Sequence, residues 1–309
     1  MRIQRIPCAA FLAGLFLTMP LAASFAMAQS EGKAQFVITA NVKGSQTAPV
    51  LQPKDLTVTM KNRPAEITDL SALRGQNANL QLVFLFDESA SSYLALQFSS
   101  LRKFIDGLPP SAEVGTAYMA NGRAVFTQSL TSDHALAGKG LRLPNSIPGI
   151  SGSPYFCLSD LAKRWPSTAK SRRVVFMVTN GVDPYYMQRD MQDPYVTAAI
   201  ADAQRAGILV YAIYFHGVGF RGADQAVFFG QNYLLKLSGD TGGESYATNL
   251  TSTPVSFDPY LKQFKTSLDS QYMVSIAAQG SGLQRIKVKS NVRDVKLSAP
   301  AAVNVGSGQ

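Results

Sequence analysis

Apolar and polar positions follow three rhythms in turn along the chain. Over residues 34–42, Phe36, Ile38 and Ala40 take every second place, mostly against smaller or polar neighbours. Residues 56–60 and 66–70 follow, separated by the turn-like Lys61-Asn62-Arg63-Pro64. A period of two predicts short strands with one buried face.

The second regime starts at Leu80. Residues 80–86, 172–179 and 208–215 are nearly continuous apolar runs of strand length, as expected of strands buried on both faces. Helical spacing fills the gaps. Leu94, Phe98, Leu101, Phe104, Ile105 and Leu108 fall on one face before Pro109-Pro110 stops the run. Residues 132–143, 155–164, 195–206 and 224–237 give further helices, and 244–247 a last short strand. Residues 113–119 and 123–130 read as two strands joined at Asn121-Gly122, a strong tight-hairpin pair. The order predicts an α/β fold, doubly wound, with a mostly parallel sheet and helices on both faces.

In the third regime, residues 257–269 form a helix with Tyr260, Phe264 and Leu268 on one face. Residues 271–277, 283–290 and 293–298 are strands. They are expected to pair with the N-terminal strands as a small β-domain, because lone hairpins are marginal. The expected division is 29–79 and 256–298 for that domain, 80–255 for the α/β domain, and 299–309 for a frayed tail.

Composition changes this picture at the N-terminus. Arg2 and Arg5 precede an apolar run over 8–25, and Ala26-Met27-Ala28 ends it. This is the pattern of a secretory signal over residues 1–28, so an exported protein, periplasmic or secreted, is expected. No later stretch reads as a membrane span. Loss of the two arginines lowers the net charge from +9 to +7. No basic helix with interleaved aromatics appears, so nucleic acid is not an expected partner. Cys157 is the only cysteine left after cleavage, which excludes an internal disulfide.

In an open sheet of this kind, binding occurs at the C-terminal ends of the strands. The first buried run ends in Asp87-Glu88-Ser89-Ala90-Ser91 and the second in Thr179-Asn180-Gly181-Val182-Asp183; Ser151-Gly152-Ser153 precedes a helix. These loops are expected to converge. Alternate oxygens at Asp87, Ser89 and Ser91 suit a hard divalent cation, and Glu88 should point away. The same residues also suit helix N-caps, and Asn180-Gly181 suits a plain turn.

Asp-x-Ser-x-Ser before a helix resembles the metal-ion-dependent adhesion site of von Willebrand factor type A domains. The likeness extends, through Leu56-Thr57-Val58 and Asp269-Ser270-Gln271-Tyr272, to bacterial secreted proteins related to that family. It implies a Mg²⁺ or Mn²⁺ site with Asp87, Ser89 and Ser91 as ligands. Ser153 stands where the family has a threonine, and Asn180 where it has an aspartate. Asp183 either compensates for the lost charge or caps the next segment. A partner's acidic residue would complete the metal shell.

A loop with Tyr185, Tyr186, Met187 and Tyr195, and a second with His216 and Arg221, follow the second and third buried runs. Tyrosine and arginine favour interfaces, so these six are candidate partner-binding residues. Enzyme chemistry is not expected. His134 and His216 are the only histidines and lie in no catalytic motif, and neither a Gly-x-Ser-x-Gly elbow nor a Walker loop occurs. Gly217–Gly222 spells Gly-x-Gly-x-x-Gly, but too late in the sheet for a dinucleotide fingerprint. The expected function is binding of a protein or envelope polymer through a degenerate metal site. The alternative is a metal-independent structural subunit of an envelope assembly.

Overall fold

The computed structural model describes residues 31–44, 47–144, 152–186, 190, 192–216, 224–247 and 252–307. The expected leader, Met187 and Arg221 lie outside these residues.

Fourteen strands and six helices run in the order β1 (Glu31–Val42), β2 (Leu56–Met60), β3 (Arg63–Ala65), β4 (Ile67–Ala72), β5 (Leu80–Asp87), α1 (Phe98–Asp106), β6 (Glu113–Ala120), β7 (Arg123–Thr131), α2 (His134–Lys139), α3 (Pro154–Lys163), β8 (Arg172–Thr179), α4 (Pro194–Arg205), β9 (Ile208–Tyr214), α5 (Asp224–Thr241), β10 (Ser245–Tyr246), α6 (Asp258–Asp269), β11 (Gln271–Gln279), β12 (Gly282–Ser290), β13 (Val295–Ser298) and β14 (Ala302–Ser307) among the described residues. They form two sheets. One has eight strands, ordered β3-β2-β12-β14-β1-β11-β4 with β13 also on β1. The other has six, ordered β10-β9-β8-β5-β6-β7.

This arrangement overturns the expected fold class. The larger sheet is antiparallel and curled, and the smaller is mixed, so the molecule is not one doubly wound, mostly parallel sheet with a small β-appendage. Two physical reasons account for the difference. Residues 302–307, read as a tail, are a strand lying between β12 and β1. The strand β7 turns back antiparallel on β6 through Asn121 and Gly122, both at positive φ as a tight hairpin requires.

The two faces of β1 and β11 explain how the sheets meet. Phe36, Ile38 and Ala40, with Tyr272, Val274 and Ile276, fill the core of the eight-stranded sheet. The intervening Val37 and Met273 turn to the other core. Helix α6 belongs to that second core through Leu261, Phe264 and Leu268. The Phe264 ring lies 5.4 Å from Phe104 of α1, 4.9 Å from Phe176 and 4.7 Å from Tyr211. Burying a side chain of that size contributes roughly 2–3 kcal/mol.

A polar chain crosses the junction. Arg172, at the start of β8, donates to the Leu268 carbonyl at 2.8 Å and to Gln271 Oε1 at 2.6 Å. Gln271 Nε2 in turn donates to the Tyr211 hydroxyl at 2.9 Å. Burial lowers the Arg172 guanidinium to about 10, which leaves it charged at neutral pH.

Candidate functional site

The strands β5 and β8 are neighbours and parallel, so their C-terminal ends deliver two loops to one edge. Every residue of β5 is buried, and Asp87 ends the strand. Its carboxylate is held from both sides. The Ser89 N–H and hydroxyl donate to Oδ1 at 3.0 and 2.7 Å, and the Thr179 hydroxyl donates to Oδ2 at 2.8 Å. Ser91 precedes a short 3₁₀ turn (Ser92–Gln97). Its hydroxyl oxygen is buried and has no hydrogen-bond partner among the described residues.

Ser153 and Asp183 form the second half. Ser153 is the N-cap of α3 and accepts from the Tyr155 N–H at 3.2 Å. Its hydroxyl donates to Asp183 Oδ2 at 2.9 Å, while Asp183 Oδ1 accepts from the Tyr185 N–H at 2.8 Å. Burial raises the Asp183 carboxyl above the ordinary carboxylate range; those two hydrogen bonds oppose the shift, and Asp193 adds to it. Asp183 thus caps its own loop and also pairs with Ser153.

Asn180 behaves differently. Its side-chain oxygen accepts from the Val182 N–H at 3.0 Å, inside its own turn. Gly181 sits at φ +70, and a Cβ there would lie 2.4 Å from the Gly230 carbonyl oxygen. The Tyr155 hydroxyl donates to the Gly181 carbonyl at 2.6 Å. The turn is therefore fixed by packing as well as by hydrogen bonds.

The two halves lie within electrostatic reach of each other. The buried Cys157 thiol, four residues past Ser153 on α3, is pushed up first by burial and then by the charge of Asp87. The oxygens of Asp87, Ser89, Ser91, Ser153, Thr179 and Asp183 are hard donors of the kind Mg²⁺ and Mn²⁺ take. The unpartnered Ser91 hydroxyl is the observation that fits a cation. Among the described residues no group of three or more His, Cys, Asp or Glu side chains is placed to hold a metal, so the donor set is hydroxyl-rich.

The candidate partner residues spread over this edge. Tyr185 is exposed, with its ring 5.5 Å from Phe156, and Tyr195 packs edge-on to the same ring at 4.7 Å. The Tyr186 hydroxyl donates to Asp190 at 3.1 Å. His216 is exposed and its Nδ1 is 3.0 Å from the Tyr214 hydroxyl. Asp193, in the acid-rich loop that ends at Tyr195, was not among the candidate residues. It is buried and caps α4 by accepting from the Tyr195 and Val196 N–H groups, while its second oxygen has no partner among the described residues.

Sequence reasoning also missed the role of Glu88. It does turn from Asp87's partners, but inward, to a two-point pair with Arg142 at 2.9 and 3.0 Å. The Arg142 guanidinium lies 4.1 Å over the Tyr118 ring, and the Arg142 backbone N–H donates to the Tyr118 hydroxyl. The loop is thus anchored to β6. The one available signal was an acid in an otherwise small-residue loop.

No protein-family model matches the chain, and no curated protein does. Similar solved structures include an aerotolerance-related membrane protein from Bacteroides fragilis, at 14% identity and TM-score 0.45, covering 62% of this chain and 98% of that one. BatB from Bacteroides thetaiotaomicron gives 15%, 0.41, 61% and 98%. The ArnB paralog VWA2 from Sulfolobus acidocaldarius gives 9%, 0.38, 88% and 76%. With TM-scores below 0.5, none of these neighbours says what this chain does. Among the described residues no helix is long and apolar enough to cross a membrane.

Proposed function

We propose that the chain is an exported binding protein of the von Willebrand factor A type. It would capture an acidic side chain of a protein or envelope polymer through a divalent cation at the β5 and β8 loops. Asp87, Ser89, Ser91 and Ser153 would hold the ion, with Thr179 orienting Asp87. A cation bound there would supply an electrophilic position for the partner's carboxylate. The supporting observation is the Ser91 hydroxyl oxygen, buried without a partner among the described residues in the loop that begins at the Asp87 carboxylate. No catalytic role is assigned to any residue.

Calorimetric titration of Mg²⁺ or Mn²⁺ into the protein tests this reading. Weak binding is expected, roughly millimolar as in ligand-poor extracellular cation sites, and it should vanish in Asp87→Ala. Identical heats for the two proteins would refute it.

A second reading is a metal-independent structural subunit of an envelope assembly. It is favoured by the hydrogen bonds that Ser153 and Asp183 make to each other and that Asn180 makes to Val182, which occupy those side chains without a cation. Capture of a partner from envelope extract that is unchanged by EDTA would favour this alternative.

A further inference from the structure

The edge of the six-stranded sheet opposite the Asp87 loop carries a different feature. Where the N-terminal ends of β8 and β9 face β1, β4, β11 and β14, the two sheets leave a cleft of about 560 Å³. That is within the usual size of small-ligand sites, which run from roughly 300 to 1,000 Å³.

The charge of its wall is one-sided. Lys170, Arg172 and Arg173 line it, and no aspartate or glutamate does. Among the described residues none of the three has a carboxylate within ion-pair distance. Arg172 is held by a carbonyl and an amide oxygen. Among the described residues Arg173 reaches the carbonyls of Ser167 at 3.1 Å and Ala206 at 3.4 Å, and it lies over the Trp165 ring. Lys170 is exposed at the mouth. Three neighbouring cations raise the local potential, and in a cleft with low-dielectric walls that potential is focused rather than screened. Asn77 and Asn79 add amide donors to the same wall. Gln35, Ser71, Gln204 and Thr241 add neutral polar side chains, and Val37, Leu73, Leu209 and Met273 give the cleft an apolar stretch.

We infer that this cleft binds an amphiphilic anion, with a carboxylate or phosphate head on an apolar body. The head group lies against Lys170 and Arg173, and the body lies along the apolar wall. A bare anion would leave the apolar wall wet, and a neutral amphiphile would leave the cations without a counter-charge. The inference is independent of the cation site, because the two lie at opposite ends of the strands.

The test is calorimetric titration of the full chain with decanoate and decyl phosphate below their micelle concentrations. Decanol and inorganic phosphate serve as the comparisons. One amphiphilic anion should bind per chain, at least tenfold tighter than either comparison compound, and the tighter of the two identifies the head group. Lys170→Glu with Arg173→Gln should weaken binding at least tenfold at an unchanged circular dichroism spectrum. If that double variant does not fold, Lys170→Glu alone, at an exposed position, gives the same reading with a smaller loss. Asp87→Ala should bind as wild type. Decanol binding as tightly as decanoate, inorganic phosphate as tightly as decyl phosphate, or unchanged affinity in the charge variants would overturn the proposal.

Discussion

Ser91 buries a hydroxyl oxygen that no described residue satisfies. An unpaired buried hydroxyl costs about 1–3 kcal/mol. Ser91→Ala should therefore leave the metal-free protein at least as stable in thermal unfolding, while weakening any Mg²⁺ heat. Asp193 makes a second residue-level case. Burial raises its carboxyl above the ordinary range, so the folded chain keeps the proton to higher pH than the unfolded chain does. Stability from this group is full below the unfolded value of about 3.9 and is lost as pH rises through the raised folded value. Asp193→Asn keeps an oxygen for the Tyr195 and Val196 N–H groups and carries no charge. Its melting temperature should exceed wild type at neutral pH, and the gap should close below about pH 4. At this scale, residues close in sequence were legible. Asp87, Ser89 and Ser91 show their spacing on the chain itself. Glu88 and Arg142 are 54 positions apart, and no local pattern couples them.

At the scale of elements, the turn after β8 is the most constrained connection near the site. Gly181→Ala would place a Cβ 2.4 Å from the Gly230 carbonyl and 2.7 Å from Leu234 Cγ, at a φ that L residues rarely adopt. Strain and clash together should cost about 2–4 kcal/mol, read as a lower midpoint in urea unfolding. The buried strands were readable because both faces are apolar and the runs are continuous, as in Leu80–Asp87. The strand β14 was not. Its Ala-Val-Asn-Val-Gly-Ser is short, holds a glycine and is followed by another, and only pairing with β12 and β1 makes it regular. Helix α6 was visible as a helix from its apolar face. Which core that face enters depends on Phe104, Phe176 and Tyr211, and periodicity says nothing of them.

Across the whole molecule, the two sheets are joined by packing and by the chain from Arg172 through Gln271 to Tyr211. Gln271→Leu would leave the buried guanidinium short of an acceptor and the Tyr211 hydroxyl short of a donor. A loss of about 3 kcal/mol is expected in denaturant titration, since removing one partner of a buried charged group is the costly direction. The misjudged balance between the sheets has a physical origin. Each alternating strand is a weak signal alone, and eight of them are drawn from two distant stretches of chain. The pairing of β1 with β14, where Gly32 faces Ser307, also sets a clock. The six strands of the mixed sheet all lie between Leu80 and Tyr246, so they can pair without either end of the chain. The eight-stranded sheet closes around β1 only when β11, β13 and β14, more than 200 residues away in sequence, come back to pair with it. Such long-range closure is slow. A pulse-labelled hydrogen-exchange experiment should find β5, β8 and β9 protected well before β1 and β12.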